Sequence, residues 1–212
     1  RKLCGARNDE GIVQQKDGLQ FQYFYILPKV HKIPWKTRPV VSEVASIQEA
    51  LSVWIDVQLQ QVLYLCPAYL KDSWHFLDRL KTQTPFPANT TIFTADAVGM
   101  YSNINMDHAL ETVANWLDLH SDDIPSSFPR DEVLNGLHII MKSNVFTFGN
   151  RFWLQLNGTA MGTSCACAYA TIYYSFHEET VLIPNPNVLF YARLIDDAFV
   201  VLLNAPTTYD PF

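Results

Sequence analysis

Two adjacent aspartates, Asp196-Asp197, stand between two runs of apolar, β-prone residues, and a third, Asp96, ends the run Ile92-Phe93-Thr94-Ala95. Adjacent carboxylates repel each other unless a cation neutralises them. Mg²⁺ does so directly, because it prefers oxygen ligands and is held by one or two carboxylates together with substrate phosphates. Carboxylates at the ends of neighbouring strands could converge on one site. Two-metal phosphoryl chemistry, with ions roughly 3.5–4 Å apart, needs that convergence. Taken singly, each feature has a plainer reading. Asp196-Asp197 fits a two-residue hairpin turn as well as a metal site, and Asp96 by itself fits a cap or turn better.

Two further stretches could serve a phosphorylated substrate. The segment Leu27–Pro39 carries Lys29, Lys32, Lys36 and Arg38 around His31 and Trp35. Such a charge run is commonly a solvated hairpin loop. It could also clamp a triphosphate, with Arg38 offering a fork and the lysines point charges. The stretch Gln155-Leu-Asn157-Gly158-Thr159-Ala160-Met161-Gly162-Thr163-Ser164 places glycines and small side chains between a strand and a helix. Such residues let a backbone approach a ligand closely, although a lone glycine-rich turn is a weak signal. Tyr101, read alone, is an aromatic core residue.

The elements that must position these residues follow from periodicity. Gln20–Leu27 is aromatic, β-rich and closed by Pro28, so it predicts a strand, with Arg38–Ser42 as its partner. Helical spacing of apolar residues from Ile47 to Leu65 predicts one long amphipathic helix ended by Pro67, with another helix over Lys71–Leu80. Thr82–Thr91 reads as a loop and Thr91–Asp96 as a short buried strand. Helices are expected from about Met106 to Leu119 and Arg130 to Lys142, separated by a Pro/Ser-rich linker. Asn144–Phe148 and Arg151–Leu156 form a hairpin across Gly149-Asn150. The small-residue stretch Gly158–Ala170 leads into a helix ending near Glu179. Val188–Ile195 and Ala198–Leu203 flank the aspartate pair as a second hairpin. Strands, helices and hairpins in this order favour an α+β fold with an antiparallel sheet covered by helices.

With 212 residues, 49% of them hydrophobic, the chain is long and apolar enough for a buried core. Net charge is −6, which argues against a simple nucleic-acid binder. Its distribution qualifies this. Residues 1–40 hold eight Lys/Arg against three Asp/Glu, a net +5, and the rest hold seven against eighteen, a net −11. Four cysteines without paired spacing, no membrane-length apolar run and no signal-peptide pattern read as an intracellular protein with reduced thiols. On that reading the sequons at Asn89 and Asn157 are chance matches. The start at Arg1 and stop at Phe212 read as a piece of a longer protein. Other chemistries fail on spacing: His177-Glu178-Glu179 lacks a second histidine four residues on, Cys165-x-Cys167 lacks a second pair, and Ser164 has no nucleophile elbow.

Order makes the weak features jointly specific. From Tyr23 to Leu203 the sequence resembles the reverse transcriptases of Penelope-like retroelements, relatives of telomerase. The resemblance rests on Tyr25–Lys32 with Arg38–Ser42, on Thr94–Ile104 around Asp96, on Gln155–Ser164 and on Tyr191–Asp197. It implies a right-hand polymerase fragment, with a fingers portion over 1–90 (basic hairpin and long helix), a palm over 91–212, and the thumb beyond Phe212. It implies two Mg²⁺ ions, replaceable by Mn²⁺, with Asp96 and Asp196 ligating both and Asp197 beside them. Lys29, Lys32 and Arg38 would contact the incoming dNTP. Tyr101 would exclude a ribose 2′-OH, and Gln155 with Gly158–Gly162, including Met161, would border nucleotide and template. The implied partners are an RNA template, a DNA primer and dNTP, with no membrane, and the implied location is the nucleus. One departure is Leu194-Ile195, where the family has an aromatic and then a small aliphatic residue. Two alternatives stay open: a viral RNA-dependent RNA polymerase using the same palm, and a domesticated, inactive nucleic-acid-binding module.

Overall fold

A computed structural model describes residues 4–6, 20–31, 33–83 and 85–203. The aromatic and β-branched run after Gln20 forms β2 (Gln22–Lys29), which turns back through the basic loop into β3 (Lys36–Ser42). The two pair antiparallel from Tyr23↔Ser42 to Lys29↔Lys36. The expected end at Pro28 does not hold, because β2 continues through it to Lys29. Beyond Tyr23 β2 pairs only with β3, and a strand tolerates proline at such an edge. Pro39 lies in β3, itself the edge strand.

The predicted hairpin across Gly149-Asn150 forms as β5 (Val145–Phe148) and β6 (Arg151–Gln155), with Gly149 at φ +61 as a tight turn requires. β5 joins β2 in parallel, and β1 (Cys4–Ala6) adds to β6. The result is a five-stranded sheet in the order β1-β6-β5-β2-β3. Strands from both sides of residue 90 therefore share this sheet.

A second sheet, in the order β4-β8-β7, is antiparallel throughout and joins β4 (Thr90–Asp96), β7 (Val188–Leu194) and β8 (Asp197–Leu203). The expectation of a buried strand at Thr91–Asp96 is corrected: in β4 only Thr90 and Phe93 are even half-buried. The reason is its place at the sheet edge, with a neighbour on one side alone. Leu70, Phe190, Ala192 and Val201 pack on this sheet, with Phe76, Phe86 and Phe199 against them.

The main core lies among helices α1 (Glu49–Gln60), α4 (Met106–Leu119), α5 (Arg130–Lys142) and α6 (Ala166–His177). Two shorter helices, α2 (Ser73–Lys81) and α3 (Met100–Asn103), complete the six among the described residues. Trp116, Tyr169, Ile55, Leu59 and Leu137 are fully buried here. α6 is apolar all round, as a central helix must be. Gly136 lets α1 and α5 close up, since a Cβ there would meet Ile55 Cδ1 at 2.8 Å.

The single helix expected over Ile47–Leu65 is instead α1 followed by a 3₁₀ turn at Leu63–Leu65. Pro67 ends the 3₁₀ turn, because the residue before a proline is driven out of helical geometry, and Cys66 has ψ 109. No helix among the described residues is long and apolar enough to cross a membrane.

Cys66 and Cys165 sit in the core, and burial pushes both thiols up to about 12. The thiolate is the reactive form, so native protein should be alkylated at these two positions roughly 10³-fold more slowly than denatured protein. Timed labelling with peptide mass spectrometry checks this.

Candidate functional site

The three aspartates meet at one end of the β4-β8-β7 sheet. β4 and β8 run in register from Thr90↔Leu203 to Asp96↔Asp197, so Asp96 and Asp197 are direct cross-strand neighbours. Such neighbours have Cβ atoms about 4.5–5.5 Å apart, where like charges destabilise the pair. Asp196 occupies the turn between β7 and β8. That turn is Ile195-Asp196, closed by the pair Leu194↔Asp197, one residue earlier than a turn formed by Asp196-Asp197. The Ala97 amide donates to the Asp196 carbonyl at 2.9 Å, tying the turn to the end of β4.

All three side chains are exposed. Among the described residues no group of three or more His, Cys, Asp or Glu is placed so that it could hold a metal ion. The three carboxylates are oxygen donors of the type Mg²⁺ prefers, and its shell is commonly one or two carboxylates completed by water and substrate phosphates.

Tyr101 enters the site from α3, a helix that the sequence reading did not foresee. Gly99, at φ +63, opens this short turn and buries Met100. The Tyr101 phenol is half-buried and its pKa is raised, first by burial, then by Cys167 and by the negative charge of Asp196. It therefore stays neutral beside the aspartate turn.

The glycine-rich loop is packed against protein backbone. A Cβ on Gly158 would lie 2.9 Å from Ser102 Cα and from the Tyr101 carbonyl, and one on Gly162 would lie 2.5 Å from the Val41 carbonyl. The loop is stitched on both sides. The Thr159 amide donates to the Tyr101 carbonyl at 2.8 Å, and the Val41 amide to the Met161 carbonyl at 2.8 Å. Gln155 Nε2 donates to the carbonyls of Asn157 and Gly158, at 3.0 and 3.1 Å, while its Oε1 accepts from Asn144. Buried Glu43, just after β3, accepts the Ser164 amide. Between this loop, Ser102 and the five-stranded sheet lies a cavity of about 310 Å³, with Phe24, Pro39, Phe146 and Met161 among its walls.

The basic residues are only partly brought into this assembly. Arg38 is exposed and Lys29 half-buried on the β2–β3 hairpin, and Lys32 lies outside the described residues. Neither Lys29 nor Arg38 joins an ion pair among the described residues. Arg38 precedes Val41 by three residues, roughly 10 Å along a strand, so the hairpin rises from the point where Gly162 packs.

Sequence reasoning gave no role to Arg193 and Glu178. Arg193 is 4% exposed, and its guanidinium pairs with Glu178 at the end of α6. The signal was a lone arginine inside an apolar strand, which requires a buried acceptor.

Neither a protein-family model nor a curated protein matches the sequence significantly. Solved structures do match. Apo telomerase from Candida tropicalis superposes with a TM-score of 0.65 at 11% identity, over 95% of this chain and 41% of that one. Telomerase from Candida albicans, in complex with a TWJ fragment of telomeric RNA, superposes with a TM-score of 0.64 at 14% identity, over 94% and 40%. The chain thus spans less than half the length of the telomerase chains it matches. In fold, it is similar to a part of these telomerase chains.

Proposed function

We propose that this chain is the fingers-and-palm core of an RNA-directed DNA polymerase, of the kind carried by Penelope-like retroelements and working in the nucleus. The observation that carries the reading is the register Asp96↔Asp197 with Asp196 in the adjoining turn, on a telomerase-like fold. The reaction is attack of a primer 3′-OH on the α-phosphate of a dNTP, with an RNA strand as template and pyrophosphate released. Two Mg²⁺ ions, or Mn²⁺ in their place, would supply activation of the attacking oxygen and stabilisation of the leaving one, held by Asp96 and Asp196 with Asp197 beside them.

The chain's own residues do the rest by position and charge. Lys29, Lys32 and Arg38 bring positive charge from the basic hairpin to the triphosphate. Gln155 and Met161 line the cavity beside Ser102, in the loop whose Gly158 and Gly162 pack against the backbone, and this loop would border nucleotide and template. The bulk of Tyr101, held neutral by burial, blocks the ribose 2′-OH. A non-catalytic nucleic-acid-binding role is favoured by one observation, that among the described residues no three such side chains are placed so that they could hold a metal ion.

Primer extension by the full polypeptide on an RNA template, comparing dNTP with rNTP in Mg²⁺, tests the reading. Extension with dNTP is expected. No extension sinks the catalytic claim, and a preference for rNTP sinks the assignment as a reverse transcriptase. In the same assay Tyr101→Ala should raise the rNTP-to-dNTP ratio of kcat/KM by at least about 10-fold.

A further inference from the structure

Arg193 stands three residues before Asp196, on β7, in an environment with almost no solvent. Its guanidinium is spent on four contacts. Nε donates to Glu178 Oε1, and Nη2 donates to Glu178 Oε2 at 3.2 Å and to the Thr171 carbonyl at 3.1 Å. Nη1 reaches forward along its own strand to the carbonyl of Ile195, at 2.9 Å. Ile195 is the first residue of the turn that presents Asp196, and it is held at φ +56. A β-branched residue in the left-handed region is a genuine outlier, sustained only where the surroundings over-determine it.

The surroundings are built for that. Glu178, 6% exposed, opens the π-helical turn Glu178–Leu182 that ends α6, and it also accepts the Tyr191 hydroxyl at 2.9 Å. The Tyr174 ring lies 5.5 Å from the guanidinium carbon. The backbone of Arg193 is pinned as well, its amide donating to the Ala68 carbonyl at 2.7 Å and its carbonyl accepting the Leu70 amide at 2.9 Å. One planar fork therefore joins α6 to the aspartate turn, a geometry that a lysine cannot reproduce.

We propose that the buried Arg193–Glu178 pair is a positioning device that holds the strained Ile195-Asp196 turn, and with it the Asp196 carboxylate, beside the Asp96↔Asp197 pair. Glu178 neutralises Arg193, so the pair acts on the site through geometry and not through net charge. The proposal rests on the polymerase reading for its consequence in catalysis, and on backbone geometry alone for its existence.

The test uses Arg193→Lys in the full polypeptide. Primer extension should show kcat reduced at least 30-fold, primer and dNTP KM within about 3-fold of wild type, and the Mg²⁺ midpoint raised. Adding Ile195→Asn, a residue that accepts the left-handed region, should recover part of the lost kcat. A folded Arg193→Lys protein with wild-type kcat and Mg²⁺ midpoint overturns the proposal. If Arg193→Lys does not fold, the near-isosteric Glu178→Gln is read instead. There a Mg²⁺ midpoint raised at least about 3-fold is expected, and an unchanged one overturns the proposal.

Hydrogen exchange separates this idea from the functional reading. The Ala97 amide, which donates to the Asp196 carbonyl, should exchange at least about 10-fold faster in the variant. That holds even if wild type extends no primer. Unchanged exchange refutes the brace whatever the activity.

Discussion

Asp196→Asn is expected to lower kcat/KM for primer extension by at least about 10³-fold, ~4 kcal/mol of transition-state stabilisation, while leaving the protein at least as stable as before. The two halves of this result have one cause. Asp96 and Asp197 face each other across the β4–β8 ladder, and Asp196 adjoins them in the turn, so three exposed negative charges share one sheet end. Their mutual repulsion works against the fold, and removing one charge relieves it. Asparagine keeps the backbone bond from Ala97 to the Asp196 carbonyl, because that bond uses no side-chain atom. A thermal melt at low ionic strength should therefore show an unchanged or slightly higher Tm, and primer extension a near-complete loss. Asp96→Asn should behave alike. Full activity in either variant would remove the carboxylates from the mechanism, whereas a large drop in Tm would make them structural.

Gly162→Ala is expected to destabilise the protein by about 3 kcal/mol, a fall in Tm of roughly 9 °C, with no nucleotide present. Gly162 has φ +114, a conformation L side chains rarely adopt, and its Cβ would lie 2.5 Å from the Val41 carbonyl. That carbonyl belongs to β3, so relief requires either the loop or the strand to move. Gly149→Ala is the control. It also has positive φ, +61, but nothing lies within 4 Å of its Cβ, so only the backbone term of about 1 kcal/mol applies. If the two variants melt alike, the tight packing at Gly162 does not govern the loop. A much larger loss at Gly162 shows that the glycine is there first for the backbone of β3, and that any nucleotide it borders meets a loop already shaped by the protein.

The match between sequence and structure is closest where the determinants are local. α4 and α5 begin and end where periodicity predicts, and the Asn105 side chain caps α4 by accepting the His108 amide. The β5–β6 hairpin follows from Gly149-Asn150, whose turn geometry is a property of two residues. That the aspartates would converge was an expectation from their order along the chain beside the basic hairpin, Tyr101 and the glycine-rich block, and the β4–β8 register sets Asp96 opposite Asp197. The exposure of β4 was not legible, since an apolar run reads alike in a central strand and at an edge, and only the β4-β8-β7 order decides which it is.

The sequence by itself thus determined the types of the chemical groups and the elements that carry them, because helix periodicity, capping and tight turns act over a few residues. Only the tertiary structure decided how those groups meet. The register Asp96↔Asp197, the turn at Ile195-Asp196 instead of at the aspartate pair, and the contact of Gly162 with Val41 all join segments far apart in the chain. The buried pairing of Arg193 with Glu178 belongs with them, for a charge inside an apolar strand announces that it needs a partner without saying which one. Folding supplied it from the end of α6, since burying that guanidinium without an acceptor would cost several kcal/mol.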